Sequence, residues 1–358
     1  MQAAQRDWPL VSLENPLRIV AIGGGSGLST VLRGLKEYAY VPWREPPLKL
    51  WPPVEITAVV TVTDDGGSSG RLRREFRVLP PGDIRNCLTA LAEDEALMTQ
   101  LFQYRFKTGR GLRGHSFGNL FLTALTDITG DFPLAVKFSS EVLAIAGRIF
   151  PSTTSNVQLR AKLADGTIVD GETRISRSRV PIRRVMLVPP DCKPLPETLE
   201  AIAQADLICL GPGSLYTSVI PNLLVKGVVQ AISQSPAFKA YFVNLMWQPG
   251  ETIGYTASDH VKALHLHARR RFLDYVIVNT QPISPSLRRR YALRQAQPVE
   301  NDIEELERLG LKVIARPVLE EGEKVRHNPQ AAAAAAVELA YEARRQRLSV
   351  PATAAGHL

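Results

Sequence analysis

Five short clusters combine glycine with small polar or charged residues in this chain, and each could bind an anion. Gly23, Gly24, Gly25, Ser26 and Gly27 follow the apolar run Leu17 to Ile22, and Leu28, Val31, Leu32 and Leu35 then recur at helical spacing. Strand, glycine turn, helix is the arrangement in which backbone N–H groups and a helix N-terminus attract a phosphate. Glycine suits the turn because it tolerates strained backbone and lets the main chain approach oxygen atoms that a β-carbon would exclude. The run has neither the GxGxxG register of a dinucleotide fold nor the Gly-Lys of a P-loop, so it predicts phosphate contact without either fingerprint.

Asp64 and Asp65 end the β-branched segment from Glu55 to Thr63. Acidic side chains at that place meet a ribose hydroxyl or a metal, and adjacent strand residues point to opposite sides, so one of the two is expected to face a ligand. Gly66, Gly67, Ser68, Ser69 and Gly70, with Arg71 beside them, suit either a plain turn or the cradle of a sugar or diphosphate. Pro80, Pro81, Gly82 and Asp83 lead into a helix for which Asp83 is the predicted N-cap, with Arg85 and Asn86 in the first turn. Gly114, His115, Ser116, Phe117, Gly118 and Asn119 open another helix, and the imidazole serves a structural hydrogen bond or a ligand contact equally well. Gly211, Pro212, Gly213, Ser214, Leu215, Tyr216, Thr217 and Ser218 directly follow a strand at the edge where open α/β sheets bind ligands. Two glycine turns there could hold the two ends of a nucleotide diphosphate. No catalytic residue is assigned: neither Ser26 nor Ser214 completes GxSxG, and His260, His265 and His267 lack HExxH spacing.

Strands are expected at 17–22, 55–63, 184–188, 207–210, 240–244, 275–279 and 312–315. Helical patterns lie at 83–92, 96–106, 118–129, 196–204, 223–233, 258–270 and 303–309, and again from 329. This alternation predicts an α/β protein with a Rossmann-like, doubly wound, mostly parallel sheet. Two β-type runs flank Asp165-Gly166, so 157–175 is read as a β-hairpin excursion. The Pro-rich stretch 39–53 is read as a surface insertion. The chain then divides into an N-terminal extension 1–16, a nucleotide-binding body 17–328, a C-terminal helix 329–348 and a frayed tail 349–358.

The 358 residues are 45% hydrophobic and 22% charged, which excludes disorder or coiled coil for the whole. The first fifteen residues lack a secretory apolar core, and no apolar run reaches the roughly 18 residues of a span, so a cytosolic protein without a membrane span is expected. Cys87, Cys192 and Cys209 are far apart and fit reduced thiols better than a disulfide framework or zinc site. The net charge is +8, yet the arginine clusters around Arg71, Arg269, Arg288 and Arg344 are separated by apolar segments and carry no RNA-binding signature. Anionic small ligands are therefore favoured over nucleic acid.

In this order, Ile22 to Gly27, Thr63 to Arg71, Pro81 to Asn86, Gly114 to Asn119 and Gly211 to Ser218 resemble the YvcK-type, CofD-like family, the gluconeogenesis factors. The likeness runs from about residue 17 to 326. It implies a Rossmann-like nucleotide-binding domain, a cytosolic location, a role in cell shape and envelope growth on gluconeogenic carbon, and binding of UDP-sugars, notably UDP-N-acetylglucosamine. It also marks Tyr291 and Arg326 for UDP-sugar contact, by stacking and by a bidentate grip on a diphosphate. The favoured expectation is a ligand-binding regulator with no required cofactor. The alternative is the CofD branch, which transfers a phospholactyl-type group from a guanylyl diphosphate donor with magnesium. A metal at Asp64 or Asp65, a regulated partner protein and the oligomeric state stay open.

Overall fold

The first apolar run becomes β1 (Leu17–Gly23), which pairs in parallel with β2 (Val54–Val60) on one side and β7 (Leu207–Leu210) on the other. Beyond β2 lies β3 (Arg148–Pro151), and beyond β7 come β8 (Phe238–Phe242), β9 (Tyr275–Asn279) and β10 (Lys312–Arg316). These seven strands form one parallel sheet in the order β10-β9-β8-β7-β1-β2-β3. β7 is buried throughout and β1 is buried at all but one position, as expected for parallel strands covered by helices on both faces. Strand order reverses between β1 and β7, and a crevice opens at the carboxyl ends of strands that diverge there. Both strands end in a glycine turn at that point. The computed structural model describes residues 11–12, 14–40, 52–93 and 97–349, so most of the Pro-rich insertion, most of the N-terminal extension and nearly all of the tail lie outside the described residues.

The expected excursion is larger than a hairpin. β4 (Gln158–Leu163) pairs antiparallel with β5 (Ile168–Asp170) and with β6 (Ile182–Val188), giving a separate three-stranded sheet. The segment 184–188, expected in the main sheet, therefore belongs elsewhere. Its burial alternates from residue to residue, with Arg183 and Arg184 interrupting the apolar run, and this suits a sheet with one wet face. β3, only four residues long and ended by Pro151, takes the main-sheet place instead. A further two-stranded hairpin, β11 (Leu319–Glu321) with β12 (Val325–His327), was not expected either.

Three boundaries shift in ways that matter for the site. The first helix, Gly25–Leu35, starts inside the glycine run and not after it. β2 stops at Val60, so Asp64 and Asp65 sit in a loop four and five residues beyond the strand. The pattern at 223–233 is broken: a π-helical turn Leu215–Val219 runs into the helix Ile220–Leu223, and Gly227, at φ +89°, precedes the helix Val228–Gln234. Leu28, Val31, Leu32 and Leu35 are fully buried, each contributing about 1.5–3 kcal/mol. On this helix Gly34 lies so close to the C-terminal helix Pro329–Ser349 that a β-carbon would sit 2.0 Å from the Pro329 carbonyl oxygen. All three cysteines are free and buried. Among the described residues no single helix is long and apolar enough to cross a membrane.

Candidate functional site: a cavity at the sheet switch point

An open cavity of about 900 Å³ occupies the crevice. Its floor is made by Gly24 to Gly27 after β1 and by Pro212 to Ser214 after β7. The two turns touch: a β-carbon on Gly27 would lie 2.3 Å from the Pro212 carbonyl oxygen. The first amides of the helix Gly25–Leu35 have no intrahelical acceptors and carry the positive end of its dipole, which favours an anion. Gly25 holds φ +63° with only Ser218 Oγ near the place of a β-carbon, so the backbone angle and not space demands glycine there. Gly25→Val should therefore strain and rebuild the turn, and if the turn holds a nucleotide phosphate, weaken nucleotide binding about tenfold, on the scale of the 1–3 kcal/mol stored in such a conformation. Titration calorimetry on the folded variant checks this, and unchanged affinity would leave the turn a purely structural role.

Another wall comes from the helix Pro285–Ala292 with the residues after it and the β11–β12 hairpin, and it brings Arg290, Arg294, Lys324 and Arg326 to the cavity. Arg326 is exposed. Tyr291 also lines the cavity, but its hydroxyl accepts a hydrogen bond from Val325 N at 3.0 Å. Its ring packs on a small apolar cluster of Met246, Ile283, Leu287 and Leu319. The phenol thus braces the hairpin that carries Arg326. A third wall, Asn244 to Pro249, follows β8 and is tied to the second glycine turn by Gln248 Nε2, which donates to Ser214 Oγ at 2.9 Å.

Behind Gly24 lies a group of carboxylates. Asp83 is not the N-cap of its helix: Pro81 holds that place, and Asp83 is the second residue of Gly82–Leu91. Its carboxylate turns back to accept the Gly25 N–H, and a β-carbon on Gly24 would lie 2.6 Å from its Oδ2. Burial, and then the charge of Asp64, push the Asp83 carboxyl up to about 7. Asp64 accepts the Gly66 N–H at 2.8 Å and is itself raised by burial. Asp65 turns the other way, accepting from Thr173 N at 2.9 Å and Thr173 Oγ1 at 2.7 Å. Asp64 thus joins the group and Asp65 does not, but both lie in a loop beyond β2, where strand alternation does not apply, and neither lines the cavity. Glu172 is raised well above the usual carboxylate range by burial and by Asp83 and Asp64. Glu251, at the cavity wall, is raised by burial while accepting from Tyr216 N at 3.0 Å and Thr217 Oγ1 at 3.0 Å.

Tyr216 and Thr217 are buried and are not among the cavity-lining residues; they fix Glu251 from behind. Ser68, Ser69, Arg71, Arg85, Asn86, His115 and Asn119 likewise stay off the cavity, on the far side of the carboxylates. His115 Nδ1 shares a hydrogen bond of 3.0 Å with Ser68 Oγ, and burial followed by the Arg71 charge lowers its pKa, so the ring is neutral at pH 7. Asn119 Nδ2 donates to Ser69 Oγ at 3.4 Å. Gly67 is exposed at the tip of its turn, and Gly23 and Gly211 are buried behind the two turns. Sequence reasoning missed Glu172, Ser176, Trp247, Gln248 and Glu251. A signal was present: the tripeptide Gly-Glu-Thr occurs at 171–173 and again at 250–252. Each glycine permits a close approach, Gly171 to the Asp65 carboxylate and Gly250 to the Ser176 carbonyl, so the small sheet is clamped onto the site by both.

Comparison with known proteins agrees with this geometry. The family described as "2-phospho-L-lactate transferase CofD" matches residues 19–319. The "Gluconeogenesis factor" of Bacillus subtilis is 47% identical over 326 residues, covering 91% of this chain and 98% of that protein. A relative from Nostoc sp. is 51% identical over 316 residues, which cover 87% of this chain and 66% of that protein. A crystal structure of a Bacillus halodurans protein matches with a TM-score of 0.84 at 47% identity, covering 90% of this chain and 99% of that one. With the switch-point sheet, the paired glycine turns and the match over residues 19–319, the chain belongs to the CofD family.

Proposed function

We propose that this chain binds a UDP-sugar, UDP-N-acetylglucosamine in the first place, in the switch-point cavity, and acts in the cytoplasm as a gluconeogenesis factor that regulates carbon allocation to the envelope and hence cell shape. The observation that carries the reading is that two glycine turns and the basic side chains of Arg290, Arg294, Lys324 and Arg326 line one cavity of about 900 Å³. A diphosphate held there meets both backbone amides and guanidinium groups, and the cavity is large enough for a nucleoside and a sugar at its two ends. The test is titration calorimetry with UDP-N-acetylglucosamine, UDP and other nucleoside diphosphates. Absence of binding by all of them would end the reading.

Arg326→Ala should weaken UDP-N-acetylglucosamine binding by about 1.5–3 kcal/mol, the scale of a hydrogen bond to a charged group, at unchanged melting temperature because the side chain is exposed. Lysine at 326 should rescue part of it, since a point charge cannot reproduce the fork geometry. Tyr291→Phe should lose affinity too, through the freed Val325 N–H and a loosened hairpin. Wild-type affinity in Arg326→Ala would remove the hairpin from the site.

A second reading, the phospholactyl-type transferase, is favoured by the carboxylates behind Gly24. A phosphate seated on the turn whose Gly25 N–H Asp83 accepts would call for either a proton on that carboxyl or a divalent cation, because neighbouring like charges repel. Magnesium fits this place. It is commonly held by one or two carboxylates with phosphate oxygens and water, here Asp64 and Asp83. Among the described residues no group of three or more His, Cys, Asp or Glu is placed to hold a metal unaided. When bound, the ion would neutralise charge on the diphosphate. Release of UMP or GMP with turnover, in the presence of magnesium, would establish the transferase over the regulator.

A further inference from the structure

The nucleotide reading leaves open what recognises the base, because glycine turns and arginines grip any diphosphate alike. We infer that the indole of Trp247 is the surface on which the nucleobase stacks, so that the site selects a planar heterocycle at one end of the diphosphate. This inference rests on that reading.

Trp247 lines the cavity and is partly exposed to it. Its indole Nε1–H donates to the Tyr255 carbonyl at 2.9 Å, and its backbone N–H donates to the Gln297 carbonyl at 2.8 Å. Met246, one residue before, bridges to Pro298, and Gln248, one residue after, donates to Ser214 Oγ at 2.9 Å. A large aromatic ring is thus immobilised beside a cavity it does not fill, and its ordering cost is met before any ligand arrives. Gln248, the residue after Trp247, ties this segment to the second glycine turn through Ser214, and Trp247 and that turn line the same cavity, so a base on the indole and a diphosphate on the turns would share one site. Tyr291, the other cavity-lining ring apart from His327, is already committed as the brace of the hairpin. Because the indole N–H is taken, only the π-face is on offer, and stacking on a π-face tolerates any base. The ring therefore distinguishes a nucleotide from a simple diphosphate ester without distinguishing uracil from guanine.

The experiment titrates UDP, GDP and inorganic pyrophosphate into the full chain carrying Trp247→Phe, Trp247→Leu or no change, with melting temperatures measured alongside. Phenylalanine and leucine both lose the bond to Tyr255, so their difference isolates the ring. The expected result is that leucine weakens UDP and GDP equally, by about tenfold, the lower part of the range for base stacking. Phenylalanine should keep most of the affinity, and pyrophosphate should bind all three proteins alike. UDP bound by a folded Trp247→Leu variant as by wild type would overturn the inference and leave the nucleotide reading standing. An equal loss for pyrophosphate would also overturn it, because the residue would then act through the shape of the cavity. If the unchanged protein binds no nucleoside diphosphate, with or without an attached sugar, the nucleotide reading itself has failed.

Discussion

At pH 8, Asp83→Asn should make the protein more stable than wild type, and the advantage should disappear near pH 4. Asp83 has a folded-state pKa of about 7 against 3.8 for the free side chain, chiefly through burial and secondly through Asp64. The folded protein therefore holds this proton more tightly than the unfolded chain. The stability that follows is fully present in acid and is lost as pH rises from about 4 through 7. Three units at about 1.4 kcal/mol each give an upper figure of roughly 4 kcal/mol at pH 8, reduced by the partial exposure of the side chain. Asparagine keeps the shape and can still accept the Gly25 N–H, but it has no charge to lose. Asp64, Glu172 and Glu251 shift in the same direction, so the variant should retain a shallower slope of its own. Calorimetric melting at pH 8 and pH 4 decides the matter. A difference between the two proteins that is the same at both pH values would show that Asp83 does not titrate in this window. If the magnesium proposal holds, the ion should stabilise wild type at pH 8 and leave Asp83→Asn unaffected.

Arg344→Ala should cost about 3 kcal/mol or more of unfolding free energy, the lower end of the penalty for stripping one partner from a buried ion pair. Asp206 is fully buried and Arg344 nearly so. Arg344 Nε donates to Asp206 Oδ1 at 2.9 Å, while the other guanidinium nitrogens donate to the carbonyls of Asn15 and Pro16 at 3.1 and 2.8 Å. Asp206 also accepts Arg18 N at 2.8 Å. Removing the arginine leaves a carboxylate inside the protein with Arg347 as the remaining cation, and strips the Pro16 carbonyl of its partner, while the Asn15 carbonyl keeps the Ser12 N–H. Urea unfolding measures the loss, and a change below about 1 kcal/mol would be inconsistent with a buried charge left behind. Asp206→Asn combined with Arg344→Met should recover part of it, since the stranded charge is then gone.

The main sheet was legible because β1, β7 and β9 are short apolar runs set between turn residues, and the glycine turns were legible because only a close approach or a strained angle explains such a density of glycine. The acidic half was less so. Asp83 looked like a cap because an aspartate after Pro-Pro-Gly normally serves that role, yet tertiary contact with Gly25 claimed its carboxylate. Glu172 and Glu251 are 79 residues apart in the chain, and nothing local tells that Gly171 and Gly250 dock their neighbours onto the same site. Arg184 was misplaced for the opposite reason: a β-branched, apolar run reads as a strand wherever it pairs, and pairing with β4 depends on a partner some twenty residues upstream.

The close contact of Gly27 with Pro212 sets the order in which a growing chain becomes competent. The first glycine turn leaves the ribosome early, but the cavity floor is incomplete until residues 211–214 appear, and the basic wall waits for the hairpin that ends at His327. Until Leu207–Leu210 emerges, the four apolar residues Ile19 to Ile22 of β1 leave an unpaired edge in the middle of what will become the sheet. Parallel pairing over such separations is slow and leaves that edge open to other chains. Unfinished chains thus lack the complete cavity and are prone to stick to one another, so nascent copies of this protein should depend on chaperones more than their ordinary composition suggests.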